Sequence, residues 1–493
     1  MASVAVVVIY FAATSLIALA MARRNRSSKE FFLGSSGFGV AFVVSMTFSE
    51  TVGGTATIGD CAEAMASIGL GAMWATWGIA LGCVCFVFAF GKLYRVLGQT
   101  AGACSVASVY GILFGKRTKA VVLVVIAVVY TCFFALQPVA AASLLAPMLG
   151  VNRGAVYLAT GLLFVVIACL GGLKGLAKMN KVHAFVMWLG LLIVALAVVQ
   201  AVGGPHAVTE RAPSGYLNPF NPGVVTVAIW LGGGVLSQMS SAVIAMITLS
   251  ADGLPQAKRG VLVAAVLLMA FAVFVALIGV VGAFAFPEVD PRGALYAVAF
   301  DVSPVLGTLC AVAIVAAIFS SAPSLLLIVG TTVAEDLYRT FVNPQASDKT
   351  IVAMARGSMV VAGVIALIMG AQTTSIFSQL ISIFQIRSIA AVVLIVALVW
   401  KRVDDRAAFW SILSGGFLAA LWHFLGSPFG IQPLVPALFV GLGVLIPLTV
   451  TARDKVARGY REYLAYQLEY LEKGHRDVSI DPQKARELLS ERE

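Results

Sequence analysis

Long apolar runs alternate along the chain with short charged or turn-rich breaks. They fall at about 2–22, 36–64, 69–91, 120–148, 154–173, 182–203, 223–249, 260–286, 303–335, 351–370, 375–400, 407–425 and 431–451. Each is close to or above the roughly 20 residues a helix needs to cross a hydrocarbon core. Inside that core each backbone amide and carbonyl must be satisfied without water, and a helix does so within its own segment. The pattern predicts an all-α polytopic membrane protein of about thirteen transmembrane helices. The first is called the leading helix here, and the others are numbered one to twelve.

Composition agrees, and charge adds a direction. Of 493 residues, 60% are hydrophobic and 11% charged, against about 25% charged in a soluble globular protein. The net charge of +10 alone fits a nucleic-acid binder, but its distribution removes that reading. Residues 452–493 hold nine basic and nine acidic side chains, so the whole excess lies in residues 1–451. One set of loops carries nineteen basic residues, among them Arg23, Arg24, Arg95, Lys119, Lys181, Lys258, Arg259 and Lys401. The alternate loops carry three: Arg153, Arg211 and Arg292. By the positive-inside rule the first set is cytoplasmic. The N-terminus is then outside, the C-terminal tail is cytoplasmic, and the expected location is the plasma (inner) membrane. Residues 1–451 read as one transmembrane domain and 452–493 as a solvated tail, with Tyr460–Leu471 a surface helix docked on the cytoplasmic face. Arg23 and Arg24 follow the first run with no small-residue cleavage pattern, so no cleavable signal is expected. The seven cysteines lie mostly in apolar runs, lack metal-site spacing and read as small buried hydrophobes.

Two spans look interrupted. Helix one contains Gly53-Gly54 among hydroxyls and one carboxylate, Glu50; helix six contains Gly232-Gly-Gly-Val-Leu-Ser-Gln238. Glycine-interrupted helices at matching places in two halves point to a transporter binding site near the midplane. Helices one to five (about 36–203) and six to ten (within about 223–425) would be the halves, and five spans per repeat force opposite orientations. Small residues that merely allow close helix packing are the plainer explanation of either cluster alone. In helix eight, Ser320 and Ser321 share a face with Ala317. Their hydroxyls, with carbonyls freed where helix one unwinds, can form an uncharged all-oxygen shell for a hard cation. Serines in a membrane helix more often bond the carbonyl a turn back.

These residues resemble the sodium:solute symporter family, which includes proline, pantothenate, sialic acid and sugar cotransporters. The resemblance covers roughly residues 1–451. It rests on Glu30-Phe-Phe-Leu-Gly34, the glycine-rich helix one, Gly171-Gly-Leu-Lys-Gly175, Ala251-Asp252 with Lys258-Arg259, and Ser320-Ser321 followed by Ala334-Glu-Asp-Leu-Tyr338. It implies a leucine-transporter-type fold: a five-plus-five inverted repeat with a leading helix and two trailing helices, transporting by alternating access with sodium as coupling ion and no other cofactor. Carried over by position, a sodium ion would be held by the carbonyls of Ser49, Val52 and Ala317 and the hydroxyls of Ser320 and Ser321. Many members have an aspartate at the start of helix five that serves a second sodium; here Asn180 stands there, beside Lys181. One sodium per solute is therefore expected.

Two charges lie at membrane depth, Glu50 in helix one and Arg387 in helix ten. Such groups are rare and normally face a cavity and a partner. Neither is usual at its position in the family. The bland reading pairs them with each other. The functional one puts a solute carboxylate on Arg387, with Glu50 holding an amine or a proton. Either both ends of an amino-acid-like zwitterion are met or a carboxylate-only solute is held by Arg387 alone; otherwise Arg387 snorkels or lines an inner vestibule. Thr51, Gly53, Gln137 and Gln238 are further candidates for the cavity wall. Asp60 reads as an interfacial cap or an ion ligand, and His183 as a surface or packing histidine. The partners expected are a small organic solute, Na+ and the bilayer. A proton-coupled transporter of the same fold and a transporter-like sensor are the alternatives. Catalytic residues are not expected, since acid and base groups, histidines and cysteines do not cluster in any span and the chain lacks a phosphate loop.

Overall fold

A computed structural model describes residues 2–22, 38–373 and 375–490. The basic cluster Arg23–Lys29 and the stretch Glu30–Gly34 lie outside the described residues, as do the side chains of 171–175. Nine helices among the described residues are long and apolar enough to cross a membrane, and a pair bent by 45° makes a tenth. Two shorter apolar helices, Val4–Thr14 within the leading helix and Leu434–Val450, fall below that length. By that measure the expected thirteen is not reached. Part of the difference is that helices one and two form one run, Val40–Ala89, interrupted by non-helical backbone at Gly69 (φ 55°).

The remaining spans follow the apolar pattern. Helix three is the apolar part of Val106–Leu149, which is broken at Gly115 (φ 77°). Helices four and five are Arg153–Leu170 and Lys178–Ala201, and helix six is Val224–Gln238 followed by Ala242–Ser250. Helix seven is Leu254–Ala285. Helix eight, Pro304–Thr331, continues in a wide π-helical turn, Thr332–Val342. Helix nine is Asp348–Gly370; helix ten is Ile376–Ile386 plus Ser388–Val399. Asp405–Phe424 and Leu434–Val450 are helices eleven and twelve, and the tail forms Arg458–Glu472 and Pro482–Ser490.

Burial sorts these spans into a centre and a rim. In helix eight 94% of the apolar window is buried within the protein, against 39% in helices nine and eleven. Lipid is as apolar as leucine, so the hydrophobic effect does not choose which helix goes inside. Shape does. Helix eight carries Ala313, Ala316, Ala317, Ser320, Ser321 and Ala322, all buried, and these let helices one, three and five come close. The exposed face of helix nine is Val360, Val361, Val364, Ile365 and Ile368, a ridge for acyl chains. Helices two and six cross at glycine: a Cβ on Gly234 would lie 2.9 Å from the carbonyl carbon of Gly78. All seven cysteines are unpaired, and Cys61, Cys83, Cys132 and Cys310 are buried.

Candidate functional site

Helix one breaks at the first glycine of its pair. Gly53 adopts φ 48° and ψ 176°, a conformation open to glycine and strained for other residues. A Cβ there would also come within 3.0 Å of Ser321 Oγ. The break frees backbone groups, and side chains from other helices take them up. The Gly54 amide donates to Gln137 Oε1 in helix three (3.1 Å), and Thr57 Oγ1 donates to the Gly53 and Gly54 carbonyls.

Helix six breaks later than its glycines. Residues 232–234 stay helical, and the chain bends at Met239–Ser241, directly after Gln238. The glycines serve the close crossing with helix two, and the bend falls where polar partners wait. Tyr130 of helix three accepts the Ala242 and Val243 amides at 3.0 and 3.3 Å, covering the start of the second half-helix. Helix ten breaks too, at Arg387 (φ −91°, ψ −2°). Its freed carbonyl accepts from Ser240 Oγ at 3.0 Å, so the two breaks satisfy each other.

Helices one and eight meet through the expected shell residues. Ser320 Oγ lies 3.0 Å from the Ser49 carbonyl and 2.8 Å from that of Ala317; Ser321 Oγ lies 3.1 Å from the Ala317 carbonyl. Four of the five residues therefore contribute oxygens that are linked in a chain, each within hydrogen-bond reach of at least one other. Val52 is buried one turn further on, and its carbonyl accepts the Thr55 amide instead. Both serines make the turn-back bond that the plainer reading foresaw, and Ser320 reaches across to helix one as well.

The Glu50–Arg387 pair does not form. Glu50 Oε1 accepts from Asn180 Nδ2 at 2.8 Å and from Ser324 Oγ at 2.5 Å, while Oε2 has no hydrogen-bond partner among the described residues. Arg387, 2% exposed, donates from Nε to Ser237 Oγ (2.8 Å), from Nη1 to Tyr130 Oη (2.8 Å) and from Nη2 to Gln238 Oε1 (3.2 Å). Its guanidinium carbon also lies 5.3–5.8 Å from the ring centroids of Tyr130, Phe133 and Phe384. The reason is geometric: each charge sits in a separate polar nest, one between helices one, five and eight, the other between three, six and ten. Both nests open on one cavity of about 40 Å³, room for a few waters. Its wall includes Thr51, Gly53, Gln137, Gln238, Ser321 and Phe384 as well as the two charges.

Asn180, read as the loss of a carboxylate, has one brought to it from helix one. Ser49 Oγ donates to the Asn180 carbonyl at 3.0 Å, tying the same elements again. Asp60 is fully buried and accepts from Thr76 Oγ1 at 2.7 Å, so it is no interfacial cap. His183 is buried rather than at the surface, its Nδ1 2.7 Å from Tyr10 Oη of the leading helix. Sequence reasoning passed over Tyr130, Ser237 and Ser324. Ser324 carried a signal, lying one turn beyond Ser320 on the same face; Tyr130 stood out only as a polar group in an apolar run.

A bundle of apolar helices, three of them broken beside one polar cavity partway along their length, is the architecture of a secondary transporter. The comparisons with known proteins agree. The family model described as the sodium:solute symporter family matches residues 31–415. This chain belongs to the sodium:solute symporter family. It is 23% identical over 472 residues to the osmoregulated proline transporter OpuE of Bacillus subtilis (strain 168), covering 92% of this chain and 95% of that one. A sodium/proline symporter of Staphylococcus aureus is 23% identical over 464 residues, covering 88% and 90%. Among solved structures, a substrate-bound, outward-open Na+-coupled sialic acid symporter superposes with a TM-score of 0.77 at 18% identity, over 92% of this chain and 98% of that one. The fold is the leucine-transporter type, and the chain is a multi-pass membrane protein that couples solute transport to sodium, not an enzyme.

Proposed function

We propose that this symporter imports a small zwitterionic, amino-acid-like solute, one sodium ion accompanying each molecule. The observation that carries the reading is the central cavity: among the described residues, a buried guanidinium with no carboxylate in contact and a buried carboxylate with one unpartnered oxygen face the same space. A charge at the centre of a membrane helix costs about 2.5–3.5 kcal/mol on insertion scales. Cation–π contacts and three hydrogen bonds offset part of this for Arg387, but none supplies an opposite charge. A solute carboxylate does, and Glu50 answers its ammonium. Phe133, Phe384 and Leu380 give the solute an apolar wall. L-Proline is the first solute to test, since the relatives are named proline transporters.

Sodium is held by the Ser49, Val52 and Ala317 carbonyls and the Ser320 and Ser321 hydroxyls, with Val52 releasing Thr55 to join. Glu50 spans from this shell to the solute cavity, which couples the two ligands. Residues 1–451 are the transporting unit, with the N-terminus outside and the chain in the plasma membrane. In support, the tail packs on the loops that hold Arg95 and Lys401, the side rich in basic residues.

Uptake of L-proline and other zwitterions into proteoliposomes, with and without a sodium gradient, tests the reading. Sodium-dependent uptake whose solute KM rises in Arg387→Gln supports it; unchanged affinity in that variant overturns the carboxylate anchor. A flux ratio of two sodium ions per solute overturns the single-ion stoichiometry and assigns the second to Glu50. The free oxygen of Glu50 also favours one rival, proton coupling, which predicts uptake that follows a pH gradient in the absence of sodium.

A further inference from the structure

Two half-helices close the central cavity on the side of the basic loops. They are helix one from Val40 to its break at Gly53, and the second part of helix six, Ala242–Ser250. Glu50 and Thr51 of the one and Val243 and Ile244 of the other stand in the cavity wall. Their far ends are stitched together by backbone. The Phe38 amide donates to the Ser250 carbonyl at 3.2 Å and the Asp252 amide to the Phe38 carbonyl at 3.0 Å, a parallel bridge between Phe38 and Ala251. A solute leaving on this side has to part the two half-helices, and with them this bridge.

Arg95 lies across the bridge. It belongs to the short helix Gly91–Thr100 that follows helix two, and it is 5% exposed. Nη1 donates to the Ala251 carbonyl at 2.9 Å and Nη2 to that of Asp252 at 3.3 Å, so the cation sits on the negative end of the half-helix. Its counter-charge comes from the tail. Asp477 Oδ2 lies 3.2 Å from Nη2 and accepts the Leu254 amide at 3.0 Å, where helix seven begins. The buried Tyr470 hydroxyl donates to the other oxygen. From there the tail helix Arg458–Glu472 runs to helix three, another wall of the cavity. Gly459 packs on the Leu113 carbonyl too closely to admit a side chain, and Arg458 meets Asp405 of helix eleven at 3.2 Å. One segment fastens helices one, six and seven to helices three and eleven.

We propose that the tail is a clamp on the inner gate. Docked, it holds the half-helices of one and six closed beneath the cavity; release of Asp477 from Arg95 lets them part. Arg95 is the pivot. Without Asp477 a buried guanidinium loses its counter-charge, and the water drawn to it competes for the Ala251 and Asp252 carbonyls. The clamp rests on the orientation given above and not on the identity of the solute.

The geometry also supplies a lock. A Cβ on Gly253 would lie 3.5 Å from Asp477 Cβ, a separation that a disulfide spans, and only the flexible end of Gln256, at 2.9 Å, has to give way. Gly253 is extended (φ −163°), as any residue can be. Gly253→Cys/Asp477→Cys therefore ties the tail down when oxidised and frees it, without its carboxylate, when reduced. Hydrogen–deuterium exchange of the purified full-length protein in lipid nanodiscs, with sodium and no solute, reads the amides of residues 40–52 and 242–250. Asp477→Asn and the reduced pair are expected to exchange there about tenfold faster than wild type, the equivalent of a hydrogen bond to a charged group, and the oxidised pair no faster than wild type. Damaged folding would raise exchange in both redox forms alike. Identical exchange in the two forms, or faster exchange confined to residues 458–490, overturns the clamp. Sodium-driven uptake of L-proline is expected to stop on oxidation and return on reduction; turnover that continues in the oxidised form overturns the clamp as well. If neither form takes up L-proline, the solute assignment fails and exchange still decides the clamp. Trypsin added to sealed vesicles of known sidedness tests the orientation: cleavage in the tail from the outer side overturns it, and the inner-gate clamp with it.

Discussion

Arg387 shows how a single residue is made tolerable in the membrane and useful there. Three of its five N–H groups are engaged, by Ser237, Tyr130 and Gln238, which leaves two to meet a carboxylate. Arg387→Gln is expected to raise the solute KM roughly 10- to 100-fold, the equivalent of a hydrogen bond to a charged group. Arg387→Lys recovers only part, because an ammonium cannot fork onto a carboxylate or span three fixed acceptors. Initial rates of uptake against solute concentration read both. Ser320→Ala removes the hydroxyl that touches both the Ser49 and Ala317 carbonyls. Its expected effect is a roughly tenfold higher sodium concentration for half-maximal uptake at saturating solute; an unmoved sodium dependence would remove Ser320 from the shell.

At the level of elements, glycine does two different jobs that look alike in sequence. Gly53 is needed for its backbone, at φ 48°, whereas Gly234 is needed for its lack of a side chain against Gly78. Gly232, two residues earlier, would meet nothing within 4 Å. Gly234→Ala is therefore expected to destabilise by about 1–3 kcal/mol through overpacking. Gly232→Ala is expected to leave stability unchanged or raise it slightly, since alanine is the better helix former. Thermal unfolding in detergent compares the two; equal losses would mean that the helix two–six crossing is not what the triplet serves. The same distinction explains why helix six bends past its glycines: a glycine cluster is legible in sequence, but the acceptor that fixes the bend, Tyr130 Oη, comes from a helix about 110 residues away.

For the molecule as a whole, the tail ties the cytoplasmic ends together. Asp477 accepts from Arg95 (3.2 Å) and from the Leu254 amide (3.0 Å), and the buried Tyr470 hydroxyl donates to it. Arg95 also donates to the Ala251 and Asp252 carbonyls, where helix six ends and Phe38 pairs alongside. Burial pushes the Asp477 carboxyl up, but Tyr470, the Leu254 amide and Arg95 outweigh that and hold it below its usual range. A lowered folded pKa means that docking is stabilised above the ordinary carboxylate range and that this stability is lost as pH falls through the lower folded value. Asp477→Asn is expected to weaken docking by about 1–2 kcal/mol at neutral pH, read as faster proteolysis between Gly474 and Asp481. It should also abolish the acid-dependent part of that cleavage.

What the sequence settled by itself is what hydrophobic periodicity and charge encode locally: helical spans, a bilayer setting and the break at Gly53. Each of these follows from neighbours within one or two turns, whereas the transporter fold was legible through the family resemblance of motifs spread along the chain. The tertiary structure alone decided how the charges are partnered. Glu50 and Arg387 looked like a pair because they are opposite charges at membrane depth on helices that could approach in such a fold. Packing of helix five beside helix one gives Glu50 to Asn180 and Ser324, and the break in helix six gives Arg387 to Ser237, Tyr130 and Gln238. Hydrogen bonds act over about 3 Å, so which residues come that close depends on how long helices cross, and that is a property of the whole bundle.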